Sequence, residues 1–114
     1  MASHRLPLSE YRGMWLFVLF DLPVTSKQAR KDYAKFRKDL IKDGFSMLQF
    51  SIYARYFRNE DSSKTHRRRI EAFLPPNGQV RLLTVTDHQF ARMQVFFGKI
   101  RNETEKPPQQ LLLF

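Results

Sequence analysis

Seven consecutive apolar residues, Met14 to Phe20, run straight into Asp21-Leu22-Pro23. A run with aromatic and β-branched members suits a strand covered on both faces, and Pro23 stops any helical continuation. Trp15, Phe17 and Leu19 then fall on one face, and Met14, Leu16, Val18 and Phe20 on the other. The period changes next. Thr25 with Gln28 reads as a capping box, and Ala29, Tyr33, Phe36 and Leu40 recur along one helical face that closes at Asp43-Gly44. Phe45 to Phe57 reads as two strands, or one bent strand, joined near Gln49 to Ser51. In its second half Phe50, Ile52, Ala54 and Tyr56 alternate with Ser51, Tyr53, Arg55 and Phe57.

Asn59 to Ser62 reads as a break, followed by a second helix over Ser63 to Leu74 with Ile70, Phe73 and Leu74 inward. Pro75-Pro76-Asn77-Gly78 ends that helix. Val80 to Thr86 predicts a strand, Asp87 to Ala91 a turn or single helical turn, and Met93 to Phe97 a further apolar run closed by Gly98. Strand-helix-strand-strand-helix-strand is the ferredoxin-like α+β order, a four-stranded antiparallel sheet with both helices on one face. Its other face would lie open, and the aromatic residues on the strands make that face an expected dimer or partner interface. An RNA-recognition domain shares the topology, but its basic-Gly-aromatic-Gly-aromatic signature has no match in Ser51 to Phe57.

The expected organisation is one domain over 14–98, with an N-terminal extension over 1–13 and a tail over 99–114. Pro107-Pro108 leads into Leu111-Leu112-Leu113-Phe114, an apolar segment that needs a surface. It is expected to add an edge strand to a partner subunit or another protein.

Composition removes several classes of chemistry. The 114 residues include no cysteine, so disulfides, thiolate metal sites and cysteine nucleophiles drop out. His4, His66 and His88 stand at no zinc-ligand spacing. No signal-like run precedes Met14, and seven apolar residues fall far short of the roughly 20 needed for a membrane span, so a cytoplasmic protein without membrane contact is expected. Twenty basic against eleven acidic side chains give a net charge of +9, which favours a polyanionic partner, nucleic acid first.

Two constellations carry chemistry. Asp21 brings a carboxylate to the end of a buried strand, for metal binding or catalysis or merely to hydrogen-bond the turn. Lys27, Lys31, Lys35 and Lys38 form a ridge on the first helix with Arg30 and Arg37 on a neighbouring line, and Lys64, Arg67 and Arg68 cluster on the second with His66 and Arg69. With both helices on one sheet face, a dimer would present two such basic surfaces, suited to the phosphate backbone of a duplex and blind to its sequence.

The chain resembles the CRISPR-associated protein two family, the small subunit of spacer acquisition. The resemblance rests on the apolar strand ending in Asp21, on Gly44-Phe45 with Leu48-Gln49 and Ser51-Ile52-Tyr53, and on Thr84-Val85-Thr86-Asp87 with Gln89-Phe90. It covers Met14 to Gly98, and Tyr11 to Pro23 with the long tail looks most like the type II versions. It implies a ferredoxin-like homodimer that bridges copies of the CRISPR integrase, and a magnesium-dependent nuclease activity assigned to the aspartate matching Asp21. One carboxylate is a poor magnesium site, whereas two related by a dimer axis could share an ion. Phe20 stands where relatives often carry an aromatic hydroxyl, and Met47 where they often carry a base. The reading is therefore a homodimeric, duplex-DNA-binding adaptor first, and a magnesium-dependent ribonuclease or deoxyribonuclease second.

Overall fold

A computed structural model describes residues 13–108; the expected apolar tail from Leu111 to Phe114, and nearly all of the N-terminal extension, lie outside the described residues. Four strands form one sheet: β1 (Met14–Asp21), β2 (Ser46–Gln49), β3 (Ile52–Phe57) and β4 (Gln79–Thr86), in the order β2-β3-β1-β4. All neighbours are antiparallel. With helices α1 (Lys27–Lys42) and α2 (Glu60–Ala72), this is the expected ferredoxin-like α+β arrangement.

Strand alternation divides the apolar residues as the sequence pattern requires. Leu16, Val18, Phe20, Tyr53 and Phe57 face Phe36 and Leu40 of α1 and Ile70 of α2. Burying a side chain of this size stabilises by roughly 1.5–3 kcal/mol, so this layer drives folding. Trp15, Ala54 and Tyr56 point to the opposite face, where Phe90 covers them.

The helix boundaries follow from local hydrogen bonding. Ser26, not Thr25, caps α1: its Oγ accepts from the Ala29 amide at 3.0 Å, with Ser26 extended at φ −122°. Gln28 does not complete a capping box; its amide donates instead to Asp32 Oδ1 at 2.9 Å. At the other end Phe45 N–H donates to Leu40 O, and Gly44 N–H to Ile41 O, each at 3.0 Å. That is a Schellman motif, and Gly44 at φ +91° takes its left-handed position. The second helix starts at Glu60 rather than Ser63, because Asn59 Oδ1 accepts from the Ser62 amide at 2.9 Å and converts the expected break into a cap. Glu60 and Asp61 then sit where the helix dipole favours negative charge.

Beyond β4, Thr86 and Gln89 form a complete capping box for the short helix α3 (Asp87–Ala91). The following residues make a separate hairpin of β5 (Val95–Phe97) and β6 (Ile100–Asn102), of which the sequence pattern predicted only the first half. The face away from α1 and α2 is less open than expected. Phe90 and the segment over 105–108 cover the Trp15–Tyr56 end, leaving a hollow of 500 Å³. Leu83, 51% exposed, and Asp21 remain uncovered on that face. Among the described residues no helix is long and apolar enough to cross a membrane.

Candidate functional site

Asp21 ends β1 opposite Gln79, with Leu19 opposite Arg81 on the same pair of strands. Alternation therefore places Asp21, Gln79 and Arg81 on the sheet face away from the main core. The turn is shaped from below by Gly78 at φ +94°, where a Cβ would stand 2.7 Å from the Asp21 carbonyl oxygen. The Asp21 carboxylate is exposed and makes no hydrogen bond or ion pair with the described residues, so it does not brace the turn.

Asp21, Arg81, Gln79, Ser51 and Phe50 line one open hollow of 360 Å³. Ser51 adopts the left-handed conformation at φ +67° in the β2–β3 connection, and its carbonyl accepts from Phe20 N–H at 3.0 Å. Its hydroxyl lies 3.3 Å from that of Tyr33, whose ring meets Phe20 edge-on. An aromatic hydroxyl thus reaches this turn from α1 although Phe20 carries none.

Magnesium takes hard oxygen donors, and Asp21 supplies the right kind. The described residues contain no group of three acidic or histidine side chains able to hold a metal ion, so the described residues of one chain do not complete a donor set. Two copies would contribute two carboxylates.

The predicted cations separate into three kinds. Lys27, Lys31, Lys38 and Arg68 are exposed on the helical layer, across the sheet from Asp21. Lys35 is tied to Asp39 at 2.7 Å, Lys64 to Asp61 at 3.2 Å, and Arg30 donates to the Val24 carbonyl at 3.2 Å. These exposed ties are worth a fraction of a kcal/mol, about 0.2–1, and leave the charges available. Arg67 departs from the expected outward cluster. Its Nη2 donates to Thr84 Oγ1 on β4, and its buried Nε has no protein partner.

The sequence pattern passed over a second buried polar set. Asp43, the C-cap of α1, receives Arg69 Nη1 at 2.9 Å and His66 Nδ1 at 2.7 Å. Arg55 Nη1 donates to the Asp43 carbonyl at 2.9 Å and lies against the His66 ring, 2.9 Å from Nδ1 and 2.8 Å from Nε2. His66 is thus an inter-helical tie rather than part of an outer basic surface. Arg37 likewise turns inward: its Nε donates to the buried Tyr53 hydroxyl at 2.7 Å. That hydrogen bond raises the Arg37 pKa above the usual arginine value. The linked stability is full below the ordinary value and lost only as pH rises through the raised one. Nothing in linear spacing pairs residue 43 with 66, or 37 with 53.

A family model described as CRISPR associated protein Cas2 matches residues 14–93. The chain is 45% identical over 112 residues to a protein of Flavobacterium psychrophilum, covering 98% of this chain and 97% of that one. It is 48% identical over 101 residues to one of Parvibaculum lavamentivorans, covering 89% of this chain and all of the other. A third, from Acidovorax ebreus, is 47% identical over 85 residues, 75% of this chain and 83% of its own length. Each of the three bears the name CRISPR-associated endoribonuclease Cas2.

Proposed function

This chain belongs to the CRISPR-associated protein Cas2 family, and from that premise we propose that it is a metal-dependent endonuclease acting on RNA, with Asp21 as its chemical centre. The observation that carries the reading is an exposed, unpaired carboxylate fixed at the end of a strand whose neighbouring residues are buried. The endoribonuclease name of its relatives supplies the substrate class. Two copies of the chain, related by a two-fold axis, would hold magnesium between their Asp21 carboxylates. The ion would polarise a phosphoryl oxygen and acidify a bound water. The chain's own part is positional: the β1–β4 register and Gly78 fix where Asp21 stands.

A second reading, a homodimeric adaptor that bridges integrase subunits and binds duplex DNA, is supported by the position of the exposed cations. Lys27, Lys31, Lys38 and Arg68 are exposed on the helical layer, on the other side of the sheet from the Asp21 side chain, where backbone binding would not need the carboxylate. One pair of assays separates the readings. Asp21→Asn should abolish magnesium-dependent RNA cleavage; if the reading is wrong, the variant cleaves as wild type does. An Asp21→Asn dimer that still supports integrase-dependent spacer insertion would establish the adaptor role independently of cleavage.

A further inference from the structure

Phe50 is 80% exposed, an unusual position for a large ring in a chain with a well-filled core. The fold holds it there. Ser51 takes a left-handed conformation that a residue with a Cβ adopts reluctantly, and such positions persist where surrounding contacts fix them. Those contacts are the Phe20 amide on the Ser51 carbonyl at 3.0 Å and the Tyr33 hydroxyl 3.3 Å from Ser51 Oγ. The Tyr33 ring supports Phe50 from one flank, with centroids 6.4 Å apart at 45°.

Arg81 lines the same hollow from β4, exposed and without an ion pair among the described residues. It lies diagonally across the strands from Asp21, a spacing of about 7–8 Å between backbones. The hollow's 360 Å³ is in the range of small-ligand sites. An exposed ring, an unpaired guanidinium and an unpaired carboxylate thus share one opening. A guanidinium pairs with phosphate, and an exposed aromatic ring stacks an unpaired base.

We propose that Phe50 and Arg81 form a nucleotide step beside Asp21, Phe50 stacking one unpaired base and Arg81 holding the adjoining phosphate. This rests on the reading of the Asp21 hollow as a phosphodiester site. It makes Phe50 the residue that selects single strands, because a base inside a duplex has no free face to offer. Neither contact reads base identity, so the step tolerates any sequence.

The test is equilibrium binding of a short labelled single-stranded oligoribonucleotide, and of the same strand in a duplex, to full-length protein in chelator. Phe50→Ala should weaken single-strand binding about tenfold or more and leave the duplex unchanged, while Phe50→Tyr binds as wild type does. Arg81→Ala should lower the salt dependence of single-strand binding by about one counterion. A Phe50→Ala protein that binds single strands normally overturns the proposal, as does one whose only change is in its sedimentation, which would mean that a second copy covers the ring. Asp21→Asn keeps the two ideas apart. If it retains cleavage, the nuclease reading fails while the Phe50 result stands by itself; if Phe50→Ala binds normally and Asp21→Asn is inactive, only the nucleotide step fails.

Discussion

The Trp15 indole N–H donates to Asp87 Oδ1 at 2.8 Å, although 72 residues separate them in sequence. The same indole stacks on Phe90 with centroids 3.9 Å apart and planes 10° from parallel, and Tyr56 meets it edge-on at 5.5 Å. Asp87 N–H in turn donates to Gly13 O at 2.8 Å. α3 is therefore bolted to the start of β1, and the residues after Thr86 act as a clasp on one end of the sheet.

Removing that clasp should be measurable without touching Asp21. Asp87→Ala strips the acceptor from a buried indole N–H and the carboxylate from the first turn of α3, a loss of about 1–3 kcal/mol. The urea midpoint should fall at unchanged slope. A midpoint equal to wild type would show that the hydrogen bond contributes nothing.

Asp43 is the corresponding tie on the helical side. Its side chain is only 9% exposed and engages two partners on α2, so Asp43→Ala leaves Arg69 and His66 facing an emptied acceptor. The expected cost is about 1–3 kcal/mol by chemical denaturation. Arg69→Ala alone should cost less, because that guanidinium is more than half exposed. Equal losses for the two variants would contradict this ranking.

The elements legible in the sequence were those set by a single period or a strong breaker. β1, the face of α1, the alternation of β3 and the stop after α2 all follow from residues adjacent in the chain. Cap identity was less legible because Thr25 and Ser26 offer the same chemistry, and only backbone conformation chooses Ser26. The start of α2 was misplaced for a related reason: Asn59 to Ser62 has turn composition, yet Asn59 caps and Glu60 continues helical. Asp21 stood out because a carboxylate after seven apolar residues is conspicuous. Arg81 and Phe50 did not, since their significance comes from a β1–β4 register and a left-handed serine that linear pattern does not encode.

The basic residues offer a comparison in which position, not charge, decides the outcome. Lys31 and Arg68 are exposed, whereas Arg67 is committed to Thr84 beneath α2. Lys31→Ala and Arg68→Ala should each reduce the salt slope of duplex DNA binding by about one, for all sequences alike, with stability unchanged. Arg67→Ala should leave the slope unaltered and shift the denaturation midpoint. An Arg67→Ala protein with a reduced slope and wild-type stability would show that the guanidinium leaves Thr84 to reach phosphate.

Assembly is the condition on which any shared Asp21 site depends. Leu83 is 51% exposed on the face that carries Asp21, opposite Phe17 in the β1–β4 ladder, and Phe97 and Ile100 are 67% and 73% exposed on the hairpin. That much uncovered apolar surface favours association of two chains over a solvated monomer. A two-fold contact across this face would bury the Leu83 patch and place Asp21 of both chains on the contacting side, since the two residues belong to the same ladder face. The wild type should sediment as a dimer of the 13.7 kDa chain at micromolar concentration. Leu83→Glu should shift it to the monomer and abolish magnesium-dependent cleavage together, because the charge is introduced at the contact while Asp21 remains in place. A Leu83→Glu monomer that cleaves as well as wild type would show that one carboxylate suffices, and a wild type that sediments as a monomer would remove the basis for a shared ion.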